Sequence, residues 1–216
     1  MTIKLVLFDM DGTLLKGRTI QKFAEKKGFK KELHELINNK KKSFYEITIE
    51  IAKLLKGMKK EELLNIFREI PLQKNTKKVI QSLKKTNIKT AIVTDSYYFV
   101  ANDLRKKLSI DYVFANKLIS KNGVFTGEIL IHNDKKIKDP INNEIYSICK
   151  SCVLDKLCKK LNISEKEVIA IGDGIVDISM IHKSGIGIAF NASDNVNKHA
   201  NVTTNNLLTI LDIIKR

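Results

Sequence analysis

The chain reads as an α/β protein, a doubly wound parallel sheet with an inserted helical cap, and three patterns predict it. Short runs of branched apolar residues recur along the sequence, and amphipathic helical stretches separate most of them. One interval, from Lys16 to about Gln73, shows helical periodicity alone. A parallel sheet needs a crossover between strands, and the crossover is usually a helix. A detour this long after the first strand is too large for a crossover and reads as an insertion.

Ile3–Phe8 is the first strand, an apolar run suited to burial on both faces. In the cap, Phe44, Ile47, Ile51, Leu54 and Leu55 follow helical spacing, with Gly28, Gly57 and Pro71 as punctuation. The core therefore takes residues 1–15 and 74–216, and the cap takes 16–73. A helix near 77–86 leads to a strand at Ile88–Thr94, a helix at 97–108 and a strand at Tyr112–Ala115. Leu118-Ile119-Ser120 and Val124-Phe125-Thr126 flank Lys121-Asn122-Gly123, and Asn-Gly between apolar runs signals a hairpin. The polar stretch Asn133 to Asn143, which contains Pro140, carries no assignable element. A helix at 150–161, a strand at Val168–Gly172, a helix at 176–184, strands at Gly185–Phe190 and Val202–Thr203 and a helix at 205–215 complete the chain.

At 216 residues and 43% hydrophobic content, the chain can bury a core with a small inserted domain. No apolar stretch approaches bilayer length, and Lys4 and Asp9 interrupt any signal-peptide centre. The expectation is a soluble, cytoplasmic protein with no membrane partner. The net charge is +15, but lysine is spread through every helix, and arginine is limited to Arg18, Arg68, Arg105 and Arg216. Nucleic-acid readers concentrate arginine and interleave aromatics, and aromatics here are 6%. The charge reads as solvated helix faces, with a general field that helps recruit an anionic substrate.

Cys149, Cys152 and Cys158 are an odd set, which argues against a disulfide framework. Cys149-x-x-Cys152 has the spacing of half a metal site, but no second pair stands near it in sequence. The expectation is a buried apolar helix face.

Four places carry chemistry. The first strand ends in Asp9-Met10-Asp11-Gly12-Thr13, two carboxylates at the carboxyl end of a strand, where α/β sheets bind ligands. Such a pair repels unless a cation or a shared proton relieves it. A divalent metal with one carboxylate acting as nucleophile satisfies that need; an ordinary Asp-Gly turn is the bland alternative. The second strand leads into Thr94-Asp95-Ser96, whose hydroxyl and amides at a strand-to-helix turn suit phosphate oxygens, or simply cap a helix. Lys150 stands at a helix start and, as one of 39 basic residues, is singled out only by its place in the order of these motifs. Last, Ile171-Gly172-Asp173 again ends a strand in an acid, with Asp177 four residues later.

In this order the motifs resemble those of the haloacid dehalogenase superfamily: Asp-x-Asp-Gly-Thr, a hydroxyl motif, a lysine and Gly-Asp-x-x-x-Asp. The resemblance implies a Mg²⁺-dependent phosphatase acting on a small phosphorylated substrate. It implies that Asp9 attacks phosphorus and that Asp11 protonates the leaving group and then activates water. It further implies that the Asp9 carboxylate, the Asp11 backbone carbonyl and Asp173 hold Mg²⁺, and that Asp177 supports the site. Thr94, the Asp95 amide and Lys150 would hold the phosphoryl oxygens.

The layout is most similar to the phosphoserine phosphatase branch, with instructive departures. The branch's cap Glu for the substrate ammonium matches Arg18, and its cap Arg for the carboxylate aligns with Ile51, shortly after the conforming Phe44. Its Ser-Gly-Gly is Thr94-Asp95-Ser96, and the Asn before its last acid is Val176. The expectation is that phosphoserine is a poor substrate and that Arg18 meets a second anionic or hydroxyl-rich group. A phosphotransferase or nucleotide phosphatase on the same site, or a low-turnover phosphate- or nucleic-acid-binding protein, are the alternatives.

Overall fold

The computed structural model describes residues 2–133 and 135–215. Its first strand, β1 (Leu5–Phe8), is buried at every position. It pairs in parallel with β2 (Lys89–Tyr97) on one side and with β5 (Val168–Gly172) on the other. Beyond β2 come β3 (Tyr112–Lys121) and the antiparallel β4 (Val124–Leu130); beyond β5 come the parallel β6 (Ile186–Phe190) and β7 (Val202–Thr204). The order is β4-β3-β2-β1-β5-β6-β7. The chain winds outward from β1 and then returns to its other side as β5, which creates a switch point between the carboxyl ends of β1 and β5.

Alternate residues of β1 serve two cores. Val6 and Phe8 join a large cluster, while Leu5 and Leu7 pack with Val153, Leu154 and Leu157 of a helix on the opposite face. The four helices inserted after β1 are α1 (Thr19–Lys27), α2 (Lys30–Ile37), α3 (Phe44–Leu54) and α4 (Lys60–Arg68). Gly28 ends α1 at φ 80°, where a side chain would be strained. Ser43 and Glu46 form a reciprocal capping box that starts α3. Phe23, Leu33, Ile47, Ile51 and Phe67 of these helices join the same cluster as Val6 and Phe8.

The remaining helices are α5 (Thr76–Lys85), α6 (Tyr98–Leu108), α7 (Lys150–Leu161), α8 (Ile178–Lys183), α9 (Asp194–Asn197) and α10 (Thr209–Ile214). The predicted hairpin forms, with Asn122 and Gly123 both at positive φ, as a type I′ turn needs. It also reaches the inserted helices: Phe125 N–H donates to the Met58 carbonyl at 3.0 Å, and Gly57 N–H donates to the Phe125 carbonyl at 2.9 Å. In the polar stretch, Asp139 forms a turn with Ile141 and Asn142, and Lys138 bridges Ile145; Asp134 lies outside the described residues.

The expectation for the cysteine pair is overturned. Cys149 and Cys152 are joined in a disulfide, and Cys152 is exposed rather than part of an apolar face. The N-cap residue and the third residue of α7 bring their Cα atoms to 5.2 Å, within bridging range. Cys158 alone is the buried helix-face cysteine. No helix among the described residues is long and apolar enough to cross a membrane.

Candidate active site

Asp9 follows β1 directly, and its N–H donates to the Ile171 carbonyl at 2.9 Å, so it stands level with the end of β5. Its side chain is buried, and Oδ1 accepts from Lys150 Nζ at 2.6 Å. Lys150 is the first residue of α7, and its ammonium is fully buried. It donates also to Asp177 Oδ1 at 2.5 Å. The other Asp177 oxygen accepts the N–H groups of Asp173 (3.1 Å) and Gly174 (2.8 Å). A Cβ on Gly172 would run into the Asp177 carboxylate, so only glycine fits before Asp173.

Asp173 faces the β1 loop. Its Oδ1 accepts from Thr13 Oγ1 at 3.1 Å, and its Oδ2 pairs with Arg18 Nη2 at 2.5 Å. Gly12 sits at φ 96°, and a Cβ there would collide with Asp173. Asp11 points elsewhere: its Oδ1 accepts from Thr19 Oγ1 at 2.5 Å. The two acids of the first motif are thereby separated in role, one against the lysine and the other toward the inserted helices.

Burial raises the Asp9 carboxyl well above its ordinary range; Lys150 opposes this, while Asp177 and Asp173 add to it. Burial also lifts Asp11 to about 6 against the Thr19 hydrogen bond. Asp173 is raised by burial, with Arg18 offsetting part of the shift. For Lys150, burial disfavours the charge, but Asp177 and Asp9 outweigh it and the ammonium is held protonated.

Carboxylate oxygens of Asp9, Asp173 and Asp177 lie within 4.8 Å of one another. An all-oxygen set of acids suits a hard divalent cation, so these residues fit Mg²⁺. Asp177 already answers three internal donors, which makes it a support for the site. Asp9 begins the β1 loop and Asp173 faces it through Thr13.

The second motif needs a correction. No helix starts at Thr94-Asp95-Ser96; β2 runs on to Tyr97 with a bulge opposite β3, and α6 begins at Tyr98. The cause is tertiary, because Tyr97 pairs with Asn116 of β3. Thr94 is buried, and its Oγ1 accepts the Ser96 N–H at 3.2 Å. The Asp95 carbonyl accepts from Asn116 Nδ2 at 2.7 Å. Buried Asn116 also donates to Ser147 Oγ (2.8 Å) and accepts the His132 N–H (2.9 Å). Asn116 lies outside the motifs, and an asparagine inside a strand is the signal that points to it.

Asp11, Arg18, Thr48, Ile51, Asp95 and Tyr97 line a cleft of about 120 Å³ between β2 and the inserted helices. Arg18, just before α1, and Ile51, on α3, thus line one pocket. The predicted residues fall into two linked groups: Asp9, Lys150, Asp173 and Asp177 in the buried network, and Asp11, Asp95 and Arg18 on the cleft.

A model of haloacid dehalogenase-like hydrolases matches residues 6–182. The phosphoserine phosphatase of Methanocaldococcus jannaschii is 30% identical over 92% of this chain and 90% of that protein. The phosphoserine phosphatase of Archaeoglobus fulgidus is 32% identical over 98% of this chain, which spans 60% of that longer relative. A solved phosphoserine phosphatase, captured as a phospho-aspartyl intermediate analogue, is 29% identical and superposes with TM-score 0.82 over 99% of this chain and 100% of that one.

Proposed function

This chain belongs to the haloacid dehalogenase-like hydrolases, in their phosphoserine phosphatase-like branch, and on that premise we propose that it is a cytoplasmic, Mg²⁺-dependent phosphomonoesterase that works through an aspartyl-phosphate on Asp9. The single observation that carries the reading is Lys150, buried without exposure and shared between Asp9 and Asp177. A buried lysine clamped to a strand-end aspartate costs desolvation with little return in stability; holding a nucleophile and a phosphoryl group gives it a purpose.

Asp9 attacks phosphorus, and the leaving alkoxide takes a proton from Asp11 on the cleft side. Asp11 then accepts a proton from the water that opens the phosphoenzyme. Lys150 spends two of its three N–H donors on Asp9 and Asp177, which leaves one for a phosphoryl oxygen. Thr94 and the Asp95 amide, at the bulge of β2, hold the other oxygens. Mg²⁺, held by Asp9, Asp173 and the Asp11 backbone carbonyl, would neutralise charge on the phosphoryl group when bound.

The substrate reading follows from the cleft. At about 120 Å³ it holds roughly four waters, which suits a leaving group of a few carbons. The relatives named above are phosphoserine phosphatases, but here Arg18 stands where the branch places an acid for the ammonium, and Ile51 where it places an arginine for the carboxylate. An unpartnered charge in such a site costs a few kcal/mol, so phosphoserine is a poor substrate, and a leaving group with an anionic or hydroxyl-bearing arm fits better. A panel of phosphorylated metabolites assayed with and without Mg²⁺ tests this. Efficient phosphoserine hydrolysis contradicts the specificity, and hydrolysis that survives Asp9→Asn contradicts the mechanism.

A further inference from the structure

Lys150 stands between two bonded cysteines. Cys149 immediately precedes α7 and Cys152 is the third residue of that helix, with their sulfurs joined. Cys152 is exposed and Cys149 half-buried, whereas Cys158 is a buried free thiol on the inner face of the helix. Cys149 Sγ also accepts the Cys152 N–H at 3.2 Å. A sulfur at a helix N-terminus that receives a backbone amide is stabilised as its thiolate.

We propose that Cys149–Cys152 is a reversible thiol–disulfide exchange site for a dithiol reductant, and that the bonded state holds Lys150 in register for phosphoryl transfer. Exposure sets the direction of attack. One thiolate of the reductant attacks Sγ of Cys152, forming a mixed disulfide there and breaking the bond to Cys149. The electron pair leaves on Cys149, which is the better leaving group because the helix N-terminus stabilises it. The second thiol of the reductant then attacks its own sulfur in the mixed disulfide and releases Cys152. Two electrons and two protons pass to the protein, and the reductant ends as an internal disulfide. In a reducing compartment, a bridge of this kind is typically transient and redox-sensing.

The link to the active site is short. The bridge closes a ring that contains the backbone of Lys150 and Ser151, while Lys150 Nζ must meet Asp9 at 2.6 Å and Asp177 at 2.5 Å. On the other side, the Cys149 N–H donates to Asn133 Oδ1 at 2.9 Å, and Asn133 Nδ2 donates to the Tyr146 carbonyl at 3.4 Å. Tyr146 in turn packs on Phe44 of α3, with ring centroids 5.1 Å apart. Opening the bridge removes the one covalent tie across the turn that aims the lysine and leaves that turn to hydrogen bonds and to the packing of Ile148 and α7.

The regulatory half of this proposal rests on the role given to Lys150 above; the exchange half does not. Purified protein is incubated with dithiothreitol in native buffer, its thiols are alkylated and located by mass spectrometry, and aryl phosphate kinetics are run in parallel. Cys149 and Cys152 are expected to alkylate only after reduction, with Cys158 protected until denaturation. Reduction should lower kcat about fivefold with KM little changed, since misplacing a catalytic group acts on the chemical step, and reoxidation should restore it. Cys152→Ser and Cys149→Ser should behave as the reduced protein and ignore dithiothreitol, while Cys158→Ser keeps the response. Alkylation of Cys149 and Cys152 without reductant after oxidising treatment, a bridge that resists native reduction, or a kcat unmoved by reduction overturns the proposal. Alkylation needs no turnover, so exchange as described in a protein that hydrolyses no phosphate ester counts against the phosphatase reading and the regulatory half, and leaves the exchange site standing.

Discussion

β1 and β5 are tied together by lysine–carboxylate pairs at both ends, and the two ends differ in kind. At the amino end, Lys4 Nζ meets Glu167 Oε1 at 2.7 Å, with the Lys4 side chain about half exposed (52%). At the carboxyl end, Lys150 meets Asp9 and Asp177 with no exposure at all. Exposed pairs are worth little because water competes for both partners. Burying a lysine with two acids carries a desolvation cost that apolar packing would avoid. The amino-end pair is a surface clip, and the carboxyl-end cluster is the one that the proposed chemistry would use.

The largest effect should come from the buried end. Asp9→Asn should lower aryl phosphate turnover roughly ten-thousandfold, as loss of a nucleophile does, while circular dichroism stays native. Lys150→Met comes next: kcat should fall at least about a hundredfold, and urea unfolding without Mg²⁺ should show a loss on the order of 3 kcal/mol from two uncompensated buried acids. A Lys150→Met protein as active as wild type would erase the contrast between the two ends.

The cleft wall gives an intermediate effect. Replacing Arg18 by Glu and Ile51 by Arg together should raise kcat/KM for phosphoserine at least about tenfold by restoring partners for both of its charges. Unchanged phosphoserine activity would remove these two positions from the specificity argument.

The smallest effect belongs to the exposed end. The Lys4 hydrogen bond, aided by the Ser164 N–H, holds the Glu167 carboxyl down at about 2. A carboxyl lowered in the folded state adds stability above its ordinary range, and that stability is lost as pH falls through the folded value. Lys4→Met should therefore shift the thermal midpoint by no more than about 2 °C at neutral pH, and the difference from wild type should vanish near pH 2. A large, pH-independent shift would show that the clip does more than its exposure allows.

The sequence made some of this legible for definite reasons. Strand ends carrying acids at Asp9 and Asp173 are visible because apolar runs stop there, and the Asn122-Gly123 turn declares itself through two residues that tolerate positive φ. Lys150 was readable only by its order among the motifs, since nothing local distinguishes it from the other lysines. The extension of β2 to Tyr97 was not readable, because it depends on pairing with Asn116 across the sheet. The Arg18–Asp173 pair joins residues 155 apart, and no local pattern announces such a contact. The Cys149–Cys152 bridge was misread because helical spacing describes a face, whereas the first turn of a helix brings those two sulfurs together.

The central claim is that Asp9 carries the phosphoryl group. Quenching the enzyme in acid during turnover of an aryl phosphate, reducing the acyl-phosphate with borohydride and locating the modified residue by mass spectrometry tests it directly. The account predicts modification at Asp9 alone, absent in Asp9→Asn; modification at another residue, or full turnover by Asp9→Asn, would contradict it.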